Sequence, residues 1–264
     1  MSLARSRHVT WVTTPLLTLA FFALWKGYVS AFDVSPFILP PPERVFFALI
    51  ELLQEDGIGD EILVTLTETL LGFGIAILVG VGLGVVLGKV AWLERTLNPF
   101  VVATQVVPKI ALVPLFILWF GFGIASKVII SAVLAFFPIL TNTLAGIKSI
   151  DRSHHDVMTS LNASRWDKFR NLELPSSLPY ILTGMEVGIV LATIGAVVGE
   201  YLGGSSGLGH LAVETLAAFE VDKLFAVIVL LTLMGFLLYV AVLGLRRVLV
   251  PWHESVQRDA SEQI

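Results

Sequence analysis

The chain has 264 residues, of which 56% are hydrophobic and only 14% charged, and its mean hydropathy is +0.85. A soluble domain carries about 25% charged residues, so this is the composition of a membrane protein. The net charge of -4, with five scattered histidines and no basic face, gives no support for nucleic-acid binding, and the lack of cysteine excludes disulfides, thiolate-held iron-sulfur clusters and thiol catalysis.

Arg5 and Arg7 precede an uncharged run over 9–25, which with its flanks predicts a first transmembrane helix over about 9–28. A cleaved signal peptide ending near Val29-Ser30-Ala31 is the competing reading. Residues 35–42, SPFILPPP, hold three consecutive prolines that remove donors and favour extended backbone, so they belong outside the lipid. Residues 43–55 then read as an amphipathic helix on the membrane surface, with Val45, Phe46, Leu49, Leu52 and Leu53 on one face.

The second span, 62–88, is apolar apart from Glu68 and a few threonines, and Gly72, Ala76, Gly80, Gly84 and Gly88 recur at strict four-residue intervals. Such a stripe lets a neighbouring backbone approach closely, whereas a nucleotide-binding fingerprint fails on spacing. A short charged turn over 89–95 leads to a third span, 98–120, interrupted by Pro108 and Pro114 and carrying Gln105 and Lys109. Eleven helical steps from Asn98 put Lys109 about 17 Å along, near the membrane middle, where an ionisable group faces protein or a watery cavity. Snorkelling to an interface is the alternative for Lys109. The fourth span, 127–148, has Pro138 followed by Thr141, Asn142 and Thr143, a combination suited to a cavity wall.

Residues 150–180 form the longest polar interval between apolar spans. Ser153 three residues before Asp156, and Ser164 three before Asp167, predict two short capped helices, with Asn162 at the corner and Leu174-Pro175 stopping the second. The fifth span, 181–202, holds Glu186 and Glu200; a flexible turn over 203–209 and an amphipathic segment over 211–219 follow, and the sixth span, 224–245, is closed by Arg246, Arg247 and Trp252. With the N-terminus inside, twelve basic residues fall on the cytoplasmic side and four outside, so residues 1–8, the loop 150–180 and the tail 251–264 are expected in the cytoplasm, flanking a single transmembrane domain over 9–250.

No Walker sequence, metal-spaced histidine set or nucleophile-base set can be placed. Gln105, Lys109 and Asn142 are candidates for a translocation pathway, because their helices are proline-kinked and polar groups in lipid need internal partners. For Glu200 a gating role and a structural bond to the turn over 203–209 stand side by side. The expected fold is an all-α membrane protein of about six transmembrane helices whose cytoplasmic unit docks a separate protein.

At this point the residues resemble the permease subunit of binding-protein-dependent bacterial ABC importers. Those permeases carry a cytoplasmic pattern of Glu-Ala-Ala, three residues, Gly, nine residues, Ile, any residue, Leu-Pro; here Asp156 takes the acid position, Val157 and Met158 the alanines, Asn162 the glycine, Leu172 the isoleucine, and Leu174 and Pro175 the final pair. The phrases ILPPPERV, PKIALVPLFILWFGFG, AFFPILTNTLAGI, LPYILTGMEVG and VVGEYLGGSSGLG look like the subfamily that imports nitrate, sulfonates, taurine, pyrimidine precursors or riboflavin. The resemblance implies a type I importer permease fold in the bacterial inner membrane. It also implies pairing with a second permease copy, a periplasmic or lipid-anchored solute-binding protein, and two cytosolic subunits that bind ATP and Mg²⁺, leaving this chain without a cofactor or catalytic site. By the same resemblance, 156–162 form a coupling helix, with Leu161 among the docking residues. A stand-alone secondary transporter using Lys109, Glu68, Glu200 or Asn142 for ion coupling is the alternative from another class, although no inverted repeat is evident.

Overall fold

The computed structural model describes the backbone of residues 3–251 and the side chains of residues 13–251, so the expected interfacial Trp252 and nearly all of the tail lie outside the described residues. Eleven α-helices follow one another among the described residues: α1 (Leu3–Ala31), α2 (Pro42–Gln54), α3 (Ile58–Lys89), α4 (Ala91–Val106), α5 (Val113–Phe120), α6 (Ile124–Lys148), α7 (Arg152–Ser160), α8 (Arg165–Lys168), α9 (Leu174–Gly203), α10 (Leu208–Ala217) and α11 (Val221–Leu249). Four helices are long and apolar enough to cross a membrane, namely α3, α6, the run Arg165–Gly203 and α11, or five if the bent pair of α4 and α5 forms one span. The expected first span lies within α1, which touches α2 and, through Trp25 against the ring of Phe225 at 6.2 Å, the start of α11.

The centre of the bundle is α3, α6 and α9. A methyl group built on Gly84 would lie 2.6 Å from Thr143 Cβ, one on Gly88 would lie 2.6 Å from Ile147, and Gly80 and Gly72 meet Ile139 and Ser131 in the same way. The register therefore advances in the same direction on both helices, and α3 and α6 run parallel. Gly195 packs on Ser131 and Gly184 on Pro138 and Ile139, so α9 runs antiparallel to both. Phe73, Ala76, Ala135, Ile139, Leu182 and Ile189 fill the core between the three helices. On the opposite face of α3, Leu70, Leu71 and Leu78 are exposed, as lipid-facing residues are.

Parallel packing of α3 and α6 obliges the chain to return the length of the bundle between them, and α4 and α5 do this as a broken path. They meet at 84°, with a 3₁₀ turn over Lys109–Leu112 between them. Pro108 lacks an N–H and pushes Val107 to an extended backbone (φ -63°, ψ 127°), which ends α4. This corrects two expectations. The third span, 98–120, is not one helix, so counting helical steps from Asn98 does not give the depth of Lys109. The charged turn over 89–95 is mostly helix, because α4 starts at Ala91.

The stop expected at Leu174-Pro175 is also absent. The chain passes from α8 through a π-helical turn, Phe169–Glu173, directly into α9, with the Leu174 N–H donating to Phe169 O five residues back. The wider turn makes room for a proline ring at the start of α9, where its missing donor disrupts least. Nor does α2 rest on lipid alone: Leu52 is buried with Leu208, Ala226 and Val227 against α10 and α11.

Candidate functional site

Three places hold the residues of interest. At one end of the bundle, α7 and α8 form a separate unit. The cap of α7 is Asp151, whose carboxylate accepts from the Ser153 N–H at 2.9 Å, so Ser153 is not the cap the spacing suggested; the helix simply begins two residues earlier. That backbone N–H holds the Asp151 carboxyl below the usual carboxylate range. Asn162 turns the corner with φ +53°, a left-handed conformation that asparagine tolerates better than other side chains. Ser164 and Asp167 form the reciprocal capping box of α8, and Lys168 reaches back to Thr159 Oγ1 at 2.8 Å, tying the two short helices together.

Nothing in α7 is buried. Val157 and Leu161 are 56% and 71% exposed, with Asp156 and Asn162 exposed beside them and Met158 half-buried, while Leu174 and Pro175 lie below at the start of α9. The unit is braced from α3: Lys89 Nζ lies 2.5 Å from Glu173 Oε2 and 4.8 Å from the centre of the Phe169 ring. Lys148 pairs with Glu94 at 2.6 Å, joining α6 to α4 at the same end.

The second place is a cavity of ≈ 580 Å³ beside the bend between α4 and α5. Gln105, Lys109 and Asn142 all line it, together with Phe137, Pro138 and Thr141. Lys109 Nζ sits 4.7 Å from the centre of the Phe137 ring and 3.5 Å from Gln105 O, and Asn142 Nδ2 donates to Pro138 O at 2.8 Å. The cavity thus offers an ammonium, two amides and a hydroxyl against an aromatic wall, a set suited to a small polar or anionic solute with a flat face.

Glu200 does not line this cavity, and of the two readings open for it the bond to the turn over 203–209 is present. It is buried at the end of the bundle remote from α7, where Oε1 accepts from the Thr65 hydroxyl at 2.7 Å and Oε2 from the Gly209 N–H at 2.7 Å. Thr65 in turn accepts from the Leu208 N–H at 2.8 Å, and Glu61 accepts from the Gly207 N–H. Gly207 has φ +100° and its Cα faces the Glu200 carboxylate, so neither the backbone nor the space admits a side chain. The turn over 203–209, expected to be flexible, is therefore clasped by carboxylates. Next to it Lys127 pairs with Glu68 at 2.9 Å, with side chains 4% and 1% exposed, and donates to Ser206 O at 3.4 Å.

Sequence reasoning missed Lys127, Thr65, Glu61 and Glu173. Only Glu68 carried a usable signal, since a carboxylate within an apolar span calls for a counter-charge. Nothing in the sequence said that the counter-charge stands at the start of the fourth span. The pair of Arg246 and Glu186, at 3.0 Å, shows the same logic between α11 and α9.

The profile of the family "Binding-protein-dependent transport system inner membrane component" matches residues 72–254. Among curated relatives, the formylaminopyrimidine transport permease of Halalkalibacterium halodurans is 35% identical over 91% of this chain and 95% of its own length. The riboflavin transport system permease of Chloroflexus aurantiacus is 36% identical over 91% and 90%, and the taurine transport system permease of Escherichia coli 31% identical over 96% of each. Among solved structures, an inward-facing MetNI methionine ABC transporter chain superposes with a TM-score of 0.64 at 19% identity, covering 73% of this chain and 95% of that one, a likeness of fold.

Proposed function

We propose, for a chain that belongs to the binding-protein-dependent transport system inner membrane components, a division of the importer's work among its three sites. The chain is an ABC importer permease and a multi-pass inner-membrane protein, and its partners are an ATPase and a solute-binding protein. In our reading α7 seats on the ATPase through Val157 and Leu161, with Asp156, Met158 and Asn162 shaping the contact and Leu174 and Pro175 carrying its movement into α9. Two ATPase subunits bind ATP and Mg²⁺, two copies of this chain enclose the pathway, and this chain itself performs no catalysis.

The observation that carries this reading is that α7 presents Val157 and Leu161 to solvent on a unit with no buried residue of its own. Exposed apolar side chains on a rigidly capped polar helix mark an interaction site. The excess of basic residues at this end supports a cytoplasmic placement of α7, α8 and both termini.

The cavity at Gln105, Lys109 and Asn142 forms part of the pathway. Its ammonium and aromatic wall, with the relatives named for formylaminopyrimidine, riboflavin and taurine, support a small organic or anionic nutrient as solute. Within that class a flat nitrogen heterocycle suits the Phe137 wall better than a compact anion.

Two variants test the division. Val157→Glu/Leu161→Glu is expected to lose the copurifying ATPase and abolish uptake, whereas Lys109→Ala keeps ATPase assembly and alters uptake across a panel of pyrimidines, flavins, sulfonates and nitrate. Unchanged assembly and uptake in the first variant would overturn the docking role of α7; wild-type affinity and rate in the second would remove Lys109 from the pathway.

A further inference from the structure

At the end of the bundle remote from α7, a groove of ≈ 680 Å³ runs between α2 and the junction of α10 with α11. Its walls carry four carboxylates, Glu51, Glu55, Glu220 and Asp222, and two bases, Arg44 and Lys223. Both bases are engaged within the groove: Arg44 lies 4.0 Å from Asp222, and Lys223 lies 2.8 Å from Glu55. No described basic group is within ion-pair range of Glu51 or Glu220, and Asp222 Oδ1 is buried without a donor.

Three phenylalanines line the groove with these acids, and Phe37 and Phe219 are the most exposed of them, at 73% and 75%. Phe219 is held at φ +59°, a left-handed conformation that a bulky residue rarely adopts. The groove therefore combines excess negative charge with aromatic faces, the pairing that receives arginine and lysine side chains.

We infer that this groove is where the solute-binding protein docks, through a rim of arginine and lysine side chains that reach Glu51 and Glu220 and pack on Phe37 and Phe219. The inference rests on the importer reading above, which supplies a binding protein as a partner and puts this end of the bundle opposite the ATPase. A negatively charged groove repels anionic lipid headgroups, which disfavours lipid as its occupant.

The test uses the whole transporter, this chain with its ATPase, in nanodiscs of zwitterionic lipid, together with the solute-binding protein identified by its stimulation of that ATPase. Docking through exposed charges predicts association that weakens about tenfold as salt rises and slows mainly in its on-rate. A hexa-arginine peptide should compete and a hexa-glutamate peptide should not. Glu51→Lys/Glu220→Lys should weaken association by about tenfold or more, through like-charge repulsion, with basal ATPase activity and subunit assembly unchanged.

Association and stimulation indifferent to salt, peptide and the double substitution would overturn the docking site and leave the importer reading intact. If no binding protein stimulates the ATPase of the wild-type transporter, both fail together. A double substitution that changes only the lipid retained with the complex would assign the groove to lipid and overturn the proposal.

Discussion

Lys127 and Glu68 form an ion pair at 2.9 Å with both side chains almost wholly shut away from solvent, and that pair fixes the first turn of α6 against the third turn of α3. Each charge is tolerable there only because of the other, since an isolated ion in a low-dielectric interior loses its hydration without return. Lys127→Met should therefore destabilise the protein by about 3–5 kcal/mol. Lys127→Met/Glu68→Leu should recover much of that loss, because removing both charges also removes both desolvation penalties. Thermal unfolding of the purified protein in detergent, with Glu68→Leu as the other single variant, checks this; losses in the two single variants that simply add in the double would show that the two residues are not coupled.

The contact between α3 and α6 depends on the absence of side chains at particular points. Gly84→Ala places a methyl 2.6 Å from Thr143 Cβ and should cost about 1–3 kcal/mol as the helices are forced apart. Gly82, two residues away, has nothing within 4 Å of a built Cβ, so Gly82→Ala should stay within about 0.5 kcal/mol of wild type. Equal unfolding midpoints for the two variants would contradict this packing.

Asn162 provides the corner between α7 and α8 at φ +53°. Asn162→Gly should preserve the corner, whereas Asn162→Val, β-branched at a left-handed position, should cost about 1–2 kcal/mol and loosen the unit. Hydrogen exchange in α7 and retention of the ATPase during purification are the measurements; an Asn162→Val protein indistinguishable from Asn162→Gly in both would mean that the conformation is not needed.

The cap of α7 should also be visible in its pH dependence. Asp151 has a carboxyl pKa lowered from its usual 3.8 because its charged form accepts the Ser153 N–H, so its contribution is fully present above the unfolded value near 3.8 and is lost as pH falls through the folded value. Amide exchange in the first turn of α7, compared with exchange in a distant helix, should therefore accelerate at the acid end in wild type. In Asp151→Ala it should be fast at every pH, and in Ser153→Ala, which keeps the backbone donor and loses only the hydroxyl that adds to it, the acceleration at the acid end should persist. A fast, pH-independent first turn in Ser153→Ala would return the cap to the serine side chain.

Local chemistry was legible where a residue and its partner lie within one turn and no second residue competes for the role. Ser164 and Asp167 form the capping box that their spacing suggested, and Asn162 adopts the left-handed turn. The same reasoning slipped by two residues at Ser153, because Asp151 offers an equally good cap and the sequence holds no rule for choosing between them. It also read Pro175 as a stop when a π turn absorbs the proline, an accommodation that depends on where α9 must sit against α6.

By itself the sequence determined that this chain belongs in a membrane, that one face of α3 is built from small residues, and that a capped polar unit stands between two apolar spans. These follow from composition and from periods of three or four residues, which act through the chain's own backbone. Only the tertiary structure decided that α3 and α6 run parallel, that the chain between them returns through an 84° bend, and that Lys127 neutralises Glu68 while Glu200 clasps the turn over 203–209. The physical reason is range: Lys127 and Glu68, or Glu200 and Thr65, meet because three long helices pack at one register, and a register is set by every contact along the helices together.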